Sequence, residues 1–150
     1  MIYLTIELRS LYKHYRDMET PKIRKGIVLI AVNTDNKYLL LKHKKNDLWG
    51  FISGGIEEGE THIQAAVRET KEESGLDLNP NDIQETKEMI EFVGSKGPAQ
   101  QKAFVVKLEN PSVVVDGEEI SEFGWFTKEE LLENLAPKQP LVELFTKVVG

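Results

Sequence analysis

The sequence predicts a mixed α/β domain in which a β-sheet packs on helices. An apolar run over residues 26–33 is typical of a buried strand, and two capping boxes mark helix starts at Thr61 and Thr127. Further strand-like segments lie between and after these helices, which is the pattern of a sheet covered by helices. With 150 residues, the chain is expected to form a single domain over residues 1–150.

Residues 1–25 are interpreted as an N-terminal extension that contributes an extra strand or an arm. Residues 1–9 alternate enough to form a strand, and residues 10–19 are expected to form a short helix or an arm. Pro21 closes this segment.

A predicted hairpin follows the extension. The buried strand over residues 26–33 is joined to a strand over residues 38–42 by the polar turn 34–37. Residues 46–55 are expected to be a loop that contains short extended pieces and ends in a glycine-rich turn.

The first helix is expected to begin at Thr61, because Thr61 and Gln64 form a capping box, and to end at Gly75. Small and apolar residues at helical spacing predict the side that faces the core: Ile63, Ala66, Val67, Thr70 and Ser74. Three glutamates, Glu69, Glu72 and Glu73, are expected on a different side of the helix.

The second half of the chain predicts three strands and two helices. Residues 83–93 and 102–108 are expected to be strands joined by a Gly97-Pro98 turn, and residues 119–126 a third strand. Thr127 and Glu130 form the second capping box, which opens a helix to about Leu135. Two prolines, Pro137 and Pro140, are expected to interrupt it before a last helix over residues 141–149.

Composition and charge exclude several classes of function. The chain is 40% hydrophobic and 29% charged, with a formal net charge of −6. General nucleic-acid binding needs a basic surface and is not expected, whereas a small phosphate-bearing ligand is compatible with a bound metal. Because the chain has no cysteine, disulfides, thiolate catalysis and cysteine-bound zinc are excluded.

The sequence predicts a cytoplasmic location without membrane contact. Its longest apolar run, residues 27–32, is far too short to cross a bilayer. Residues 1–9 also lack the layout of a signal peptide.

The segment from Gly54 to Leu76 carries the clearest chemical signal. It surrounds one short helix with carboxylates, and Glu69, Glu72 and Glu73 are spaced i, i+3 and i+4 on one helical face. Like charges at this spacing repel each other. A divalent cation with oxygen ligands, such as Mg²⁺, would explain the cluster.

The same segment resembles the signature of the Nudix hydrolases, Gly-x5-Glu-x7-Arg-Glu-U-x-Glu-Glu-x-Gly-U, in which U is bulky and aliphatic. The matching residues are Gly54, Glu60, Arg68, Glu69, Glu72, Glu73, Gly75 and Leu76. Thr70 stands where an aliphatic residue is usual, and Ile52-Ser53 replaces a common Pro-Gly. The resemblance implies an α/β/α sandwich with a mixed sheet between helices.

The resemblance also implies hydrolysis of a nucleoside diphosphate linked to another moiety, with Mg²⁺ or Mn²⁺ as cofactor. It assigns Glu69, Glu72 and Glu73 as metal-binding catalytic carboxylates and Glu60 as an additional metal ligand. Arg68 is implied to be the cation that orients these glutamates.

The base that deprotonates water is implied to be a glutamate of the signature or one on a later loop. The later position often lies about six residues before the Trp of the last strand, and counting back from Trp125 gives Glu119. Glu118 and Glu122 are nearby alternatives.

Candidate substrate contacts flank the signature. Gly54 and Gly55 let the backbone approach phosphates and offer N–H donors. In the basic run 42–45, Lys42 and Lys44 are candidate phosphate ligands, although a solvated strand end has the same composition.

The expected substrate is a small nucleotide, and residues 97–108 resemble the branch that cleaves dinucleoside polyphosphates or the 5′-triphosphate end of RNA. Two alternatives remain: a pyrophosphatase that removes modified nucleoside triphosphates, and a non-catalytic nucleotide sensor. Homodimers are common in the family, so a homodimer is a further expectation.

Overall fold

The structure is a computed structural model that describes residues 22–94 and 96–150. The strand predicted over residues 1–9 and the helix or arm predicted over residues 10–19 lie outside the described residues. The described strands are β1 (Arg24–Asn33), β2 (Tyr38–His43), β3 (Leu48–Gly50), β4 (Ile52–Gly55), β5 (Ile83–Gly94), β6 (Gly97–Leu108) and β7 (Ile120–Phe126). The described α-helices are α1 (His62–Ser74), α2 (Lys128–Leu135) and α3 (Gln139–Val149), and Pro80–Asp82 forms a short 3-10 helix.

The strands form one mixed sheet with β1 at its centre. β1 runs parallel to β6 along its whole length and antiparallel to β4, and β5 pairs antiparallel with β6. β2 continues the sheet from the end of β1 and pairs with β3 and β7. The predicted mixed sheet is confirmed.

Helices cover both faces of this sheet because the side chains of β1 alternate between two cores. Ile27 and Leu29 pack with α1, whereas Val28 and Ile30 pack with α2 and α3. The result is the expected α/β/α sandwich. No helix in the described part of the chain is both long and apolar enough to cross a membrane.

The predicted ends of α1 are confirmed. The Thr61 hydroxyl accepts a hydrogen bond from the Gln64 N–H at 3.1 Å, and the Gln64 side chain accepts one from the Thr61 N–H at 2.9 Å. Gly75 ends the helix with φ 74°, a left-handed conformation that glycine adopts without strain. Thr70, which departs from the usual aliphatic residue, is buried with its hydroxyl donating to the Ala66 carbonyl at 2.6 Å.

The prediction of which α1 side chains face the core is partly wrong. Glu73 was expected away from the core, but it is only 4% exposed and lies among the buried residues of the helix. Glu69 and Glu72 do lie outside the apolar core, as predicted. Glu73 is therefore the acidic residue of the helix that lies on its buried side.

Other corrections concern glycine and proline positions. The turn predicted at Gly54 and Gly55 is wrong, because both residues belong to β4 and pair with β1. β6 begins at Gly97 rather than at Lys102, so the β5–β6 hairpin is longer than predicted. Pro140 lies in the first turn of α3, where a missing N–H costs no helical hydrogen bond.

Candidate active site

Arg68 is the centre of the polar network on α1. Its Nε and Nη2 donate to the two carboxylate oxygens of Glu60 at 2.8 and 2.9 Å, and Nη1 donates to Glu69 at 2.9 Å. Nη2 also donates to the Gly55 carbonyl at 2.9 Å, which connects the helix to β4. Glu72 is more distant, at 3.4 Å from Nη1.

The Arg68–Glu60 pair is a bidentate, charge-assisted hydrogen-bonded ion pair. The hydrogen bonds from Arg68 hold the pKa of Glu60 at about 2, and Glu60 in turn raises the pKa of Arg68. Both oxygens of Glu60 are therefore occupied by the guanidinium. In this arrangement Glu60 fixes the orientation of Arg68, and its implied role as a metal ligand stays a prediction.

Glu73 is a buried carboxyl group at the end of α1 nearest β4. It accepts one hydrogen bond, from the Ser53 N–H at 3.3 Å. Burial raises its pKa to about 9, and the charges of Glu69, Glu119 and Glu72 act in the same direction against the Ser53 hydrogen bond. Within the described residues no basic side chain pairs with it, so a cation would find an unmatched acidic group here.

Glu69 lies against the backbone of Gly54. A Cβ added to Gly54 would stand 2.1 Å from the Glu69 carboxyl carbon, so the carboxylate occupies the space that any other residue would fill. Burial raises the pKa of Glu69, which Arg68 partly opposes. The function of Gly54 is therefore close packing, not the turn geometry predicted from the sequence.

The acidic residues fit a divalent cation in their chemistry but are not gathered as a ready-made site. Among residues 22–94 and 96–150, no three Asp, Glu or His side chains are grouped closely enough to hold a metal ion. Glu69, Glu72 and Glu73, which the resemblance implies to bind metal, are therefore not gathered to bridging distance in this arrangement. The carboxylates repel one another and Arg68 is the strong positive charge within their reach, so Glu69 and Glu72 turn toward Arg68.

A cavity of about 980 Å³ opens beside Glu73. Glu119, which the sequence singled out as a candidate base, lines it together with Glu118. The predicted phosphate ligand Lys44 also lines it, and its backbone N–H donates to the Glu119 carbonyl at 2.9 Å. The structure thus brings Glu73, Glu119 and Lys44 to one cavity, although they are far apart in the sequence.

Other predicted site residues lie elsewhere. Lys42 is 5.7 Å above the Trp49 ring and 3.6 Å from Asp47, and it is not among the residues that line the cavity. Gly54 and Gly55 line a smaller neighbouring cavity of about 270 Å³. Lys42 thus contacts Trp49 and Asp47 outside the lining of the larger cavity, and its role as a phosphate ligand stays a prediction.

Ser53 and Lys138 are among the cavity residues that the sequence did not single out. Ser53 contributes through its backbone N–H, which no residue type reveals. Lys138 stands between Pro137 and Pro140 in the linker from α2 to α3, and an isolated lysine there gives no pattern that points to a site.

Comparison with known families decides the identity of the fold. A family model described as the NUDIX domain matches residues 22–145. The chain belongs to the Nudix family. The resemblance to the Nudix family found in the sequence is thereby confirmed.

Curated relatives of this Nudix chain include the NAD-capped RNA hydrolase NudC of Salmonella typhi. The two are 28% identical over 130 residues, which cover 83% of this chain and 47% of NudC. NudC of Escherichia coli O9:H4 (strain HS) matches to the same extent. The chain spans about half the length of these relatives.

Solved structures agree on the Nudix fold. The binary complex of a C. elegans Ap4A hydrolase superposes with a TM-score of 0.70 at 23% identity, covering 85% of this chain and 98% of that one. The MutT protein of Methanosarcina mazei Go1 gives a TM-score of 0.74 at 20% identity, covering 87% and 95%. At these identities the likeness establishes the fold.

Proposed function

We propose that this Nudix protein hydrolyses a phosphoanhydride bond in compounds that link a nucleoside diphosphate to another group. The observation that carries the proposal is Glu73, a buried carboxyl group without a described basic partner, beside Glu69 and Glu119 at the wall of a large cavity. Acidic groups held in this way favour a hard cation.

The proposed cofactor is Mg²⁺, with Mn²⁺ as a substitute, and Glu69, Glu72 and Glu73 would hold it. When bound, such an ion neutralises phosphate charge and lowers the pKa of water. Glu72 is 56% exposed on its side chain and free to turn, whereas Glu73 is fixed by burial. Arg68 donates a hydrogen bond to Glu69 and is itself oriented by Glu60, so the Glu69 carboxylate is held in position.

The reaction is a displacement at phosphorus by water. The water oxygen forms a bond to phosphorus, the bond from that phosphorus to the bridging oxygen breaks, and the leaving phosphate keeps the electron pair. Glu119 accepts the proton of the attacking water, because it lines the same cavity as Glu73. Lys44 is placed to stabilise negative charge on the phosphates.

The proposed substrates are dinucleoside polyphosphates or related compounds in which phosphoanhydrides join two nucleosides. The names of NudC, an NAD-capped RNA hydrolase, and of the structurally similar Ap4A hydrolase both refer to such compounds. A cavity of about 980 Å³ is at the upper end of the size usual for small-molecule sites, as a ligand with two nucleosides requires.

A substrate panel tests this proposal. We expect Mg²⁺-dependent hydrolysis with the highest kcat/KM for dinucleoside polyphosphates or NAD-capped RNA, against oxidised and canonical nucleoside triphosphates, ADP-ribose, nucleotide sugars and triphosphorylated RNA. A preference for oxidised nucleoside triphosphates would instead identify a pyrophosphatase that removes modified nucleoside triphosphates. Tight nucleotide binding without turnover of any compound would indicate a sensor and overturn the proposal.

Gly54→Ala should lower kcat by about tenfold to a hundredfold, because the new methyl group displaces the Glu69 carboxylate and misplaced catalytic groups are costly. Gly55→Ala is the matched control in the same strand, since its Cβ meets no atom closer than 3.9 Å. Steady-state kinetics with a melting curve for each variant measure the effect. Equal activity of the two variants would show that the position of Glu69 does not matter.

A further inference from the structure

Three basic side chains from two segments meet in the cavity that contains Glu73. His43 ends β2, Lys45 follows in the next turn, and Lys138 comes from the linker between α2 and α3. A Cβ added to Gly50 would lie 3.2 Å from Lys138 Nζ and 3.5 Å from His43 Nε2. The two side chains therefore converge over the backbone of Gly50.

We propose that Lys138, His43 and Lys45 form a subsite for the phosphate groups of the substrate that lie beyond the bond that is cleaved. This inference rests on the proposed function and extends it, because it assigns substrate preference to residues outside the Nudix signature. The ligand chemistry is a chain of phosphates, carried either by a dinucleoside polyphosphate or by the 5′ region of an RNA.

The electrostatics of the cluster favour an anion. Burial lowers the pKa of Lys138 and Lys45 lowers it further, while burial, Lys138 and Lys45 lower the pKa of His43 against a hydrogen bond with the Phe51 backbone. The lysines thus lie close enough to disfavour protonation of His43, which the shift keeps in its neutral form. Glu118 and Glu119 line the same cavity, but none of the ion pairs formed by the described residues includes these three basic groups, so the lysines can form charge-assisted hydrogen bonds with a phosphate.

Local structure does not account for Lys138. It occupies the N-cap of α3 without a capping hydrogen bond, at a position where Ser, Thr, Asp and Asn are preferred and a cation opposes the helix dipole. The neighbouring Pro137 and Pro140 also line the cavity and restrict the backbone of the linker. Lys138 is therefore held in the cavity by a stiff segment, as suits a group that selects substrate.

The test compares Lys138→Gln with Lys147→Gln, an exposed lysine of α3 outside the cavity lining. For dinucleoside substrates with two to five bridging phosphates, Lys138→Gln should lower kcat/KM by about tenfold or more for the long bridges, mainly through KM, and by less than about threefold for the diphosphate. Lys147→Gln should match the wild type. Parallel assays on NAD-capped and triphosphorylated RNA show which source of phosphate uses the subsite.

A binding experiment separates this inference from the proposed function. In EDTA, inorganic tripolyphosphate should bind the wild type and Lys147→Gln equally, and Lys138→Gln about tenfold more weakly, by calorimetry. Gly50→Ala should change binding less than Lys138→Gln, because its methyl group would meet His43 at ordinary contact distance and need only a small shift of Lys138 Nζ. Unchanged tripolyphosphate affinity in Lys138→Gln would overturn the subsite even if hydrolysis is found, and a selective loss would support it even if hydrolysis is absent.

Discussion

Glu73→Gln should abolish most of the activity, with kcat reduced by about a thousandfold, while the variant melts at a higher temperature than the wild type in EDTA at pH 8. Activity falls because Gln lacks the negative charge that would hold Mg²⁺, and lost electrostatic stabilisation of this kind costs orders of magnitude in rate. Stability rises because the wild type must take up a proton at Glu73 to fold at this pH, whereas the neutral amide needs none and keeps the shape of the side chain.

The raised pKa of Glu73 makes the free energy of unfolding of the wild type fall as the pH rises. The pKa of Glu73 is raised to about 9 from an unfolded value of 4.5, so the folded chain binds one more proton than the unfolded chain between these values. The contribution of Glu73 to the free energy of unfolding is fully present below pH 4.5 and is lost as the pH rises toward 9. Glu73→Gln removes this pH-dependent loss of stability. The Tm of the variant should therefore equal that of the wild type near pH 4 and exceed it by about 3 °C or more at pH 8.

Matched measurements separate the two effects. Glu58→Gln removes the same charge from an exposed position of the acidic segment and should change neither activity nor the pH profile of Tm. Mg²⁺ should raise the Tm of the wild type and of Glu58→Gln but leave that of Glu73→Gln nearly unchanged, since a ligand stabilises only the state that binds it. Full activity in Glu73→Gln would remove the basis of the proposed function.

The part of the fold that follows from local rules was predictable. The capping boxes at Thr61 and Thr127 and the left-handed Gly75 depend on neighbours within a few residues, and the structure has them where the pattern indicated. The buried strand β1 was equally clear from its apolar run. These features need no knowledge of distant contacts.

The features that were missed depend on contacts between distant segments. Gly54 belongs to a strand because β1 pairs with it, and its lack of a side chain matters only because Glu69 lies against it. Glu73 is buried because β4 approaches the end of α1, which helical periodicity alone does not show. Lys138 reaches the cavity only through the packing of α2 and α3 on the sheet.

Glu119→Gln should lower kcat by about a thousandfold, within the range expected for loss of a general base, and leave KM within about threefold. Glu119 is carried to the cavity by the residues before β7, where the Asp116 carboxylate accepts hydrogen bonds from the N–H groups of Glu118 and Glu119 at 2.9 and 3.3 Å. The segment is therefore ordered by Asp116, and the amide should fit in place of the carboxylate without a change in fold.

Matched variants distinguish a base from a residue that only shapes the cavity. Glu122→Gln removes the same charge from β7, where Glu122 pairs with Lys42 of β2 outside the cavity lining, and it should keep the wild-type kcat. Glu118→Gln is the informative alternative, since Glu118 lines the same cavity. If Glu118→Gln loses activity and Glu119→Gln keeps it, the proton goes to Glu118. If both variants keep the wild-type kcat, the base is a carboxylate of the signature itself, and Glu119 acts only through its charge on Glu69 and Glu73.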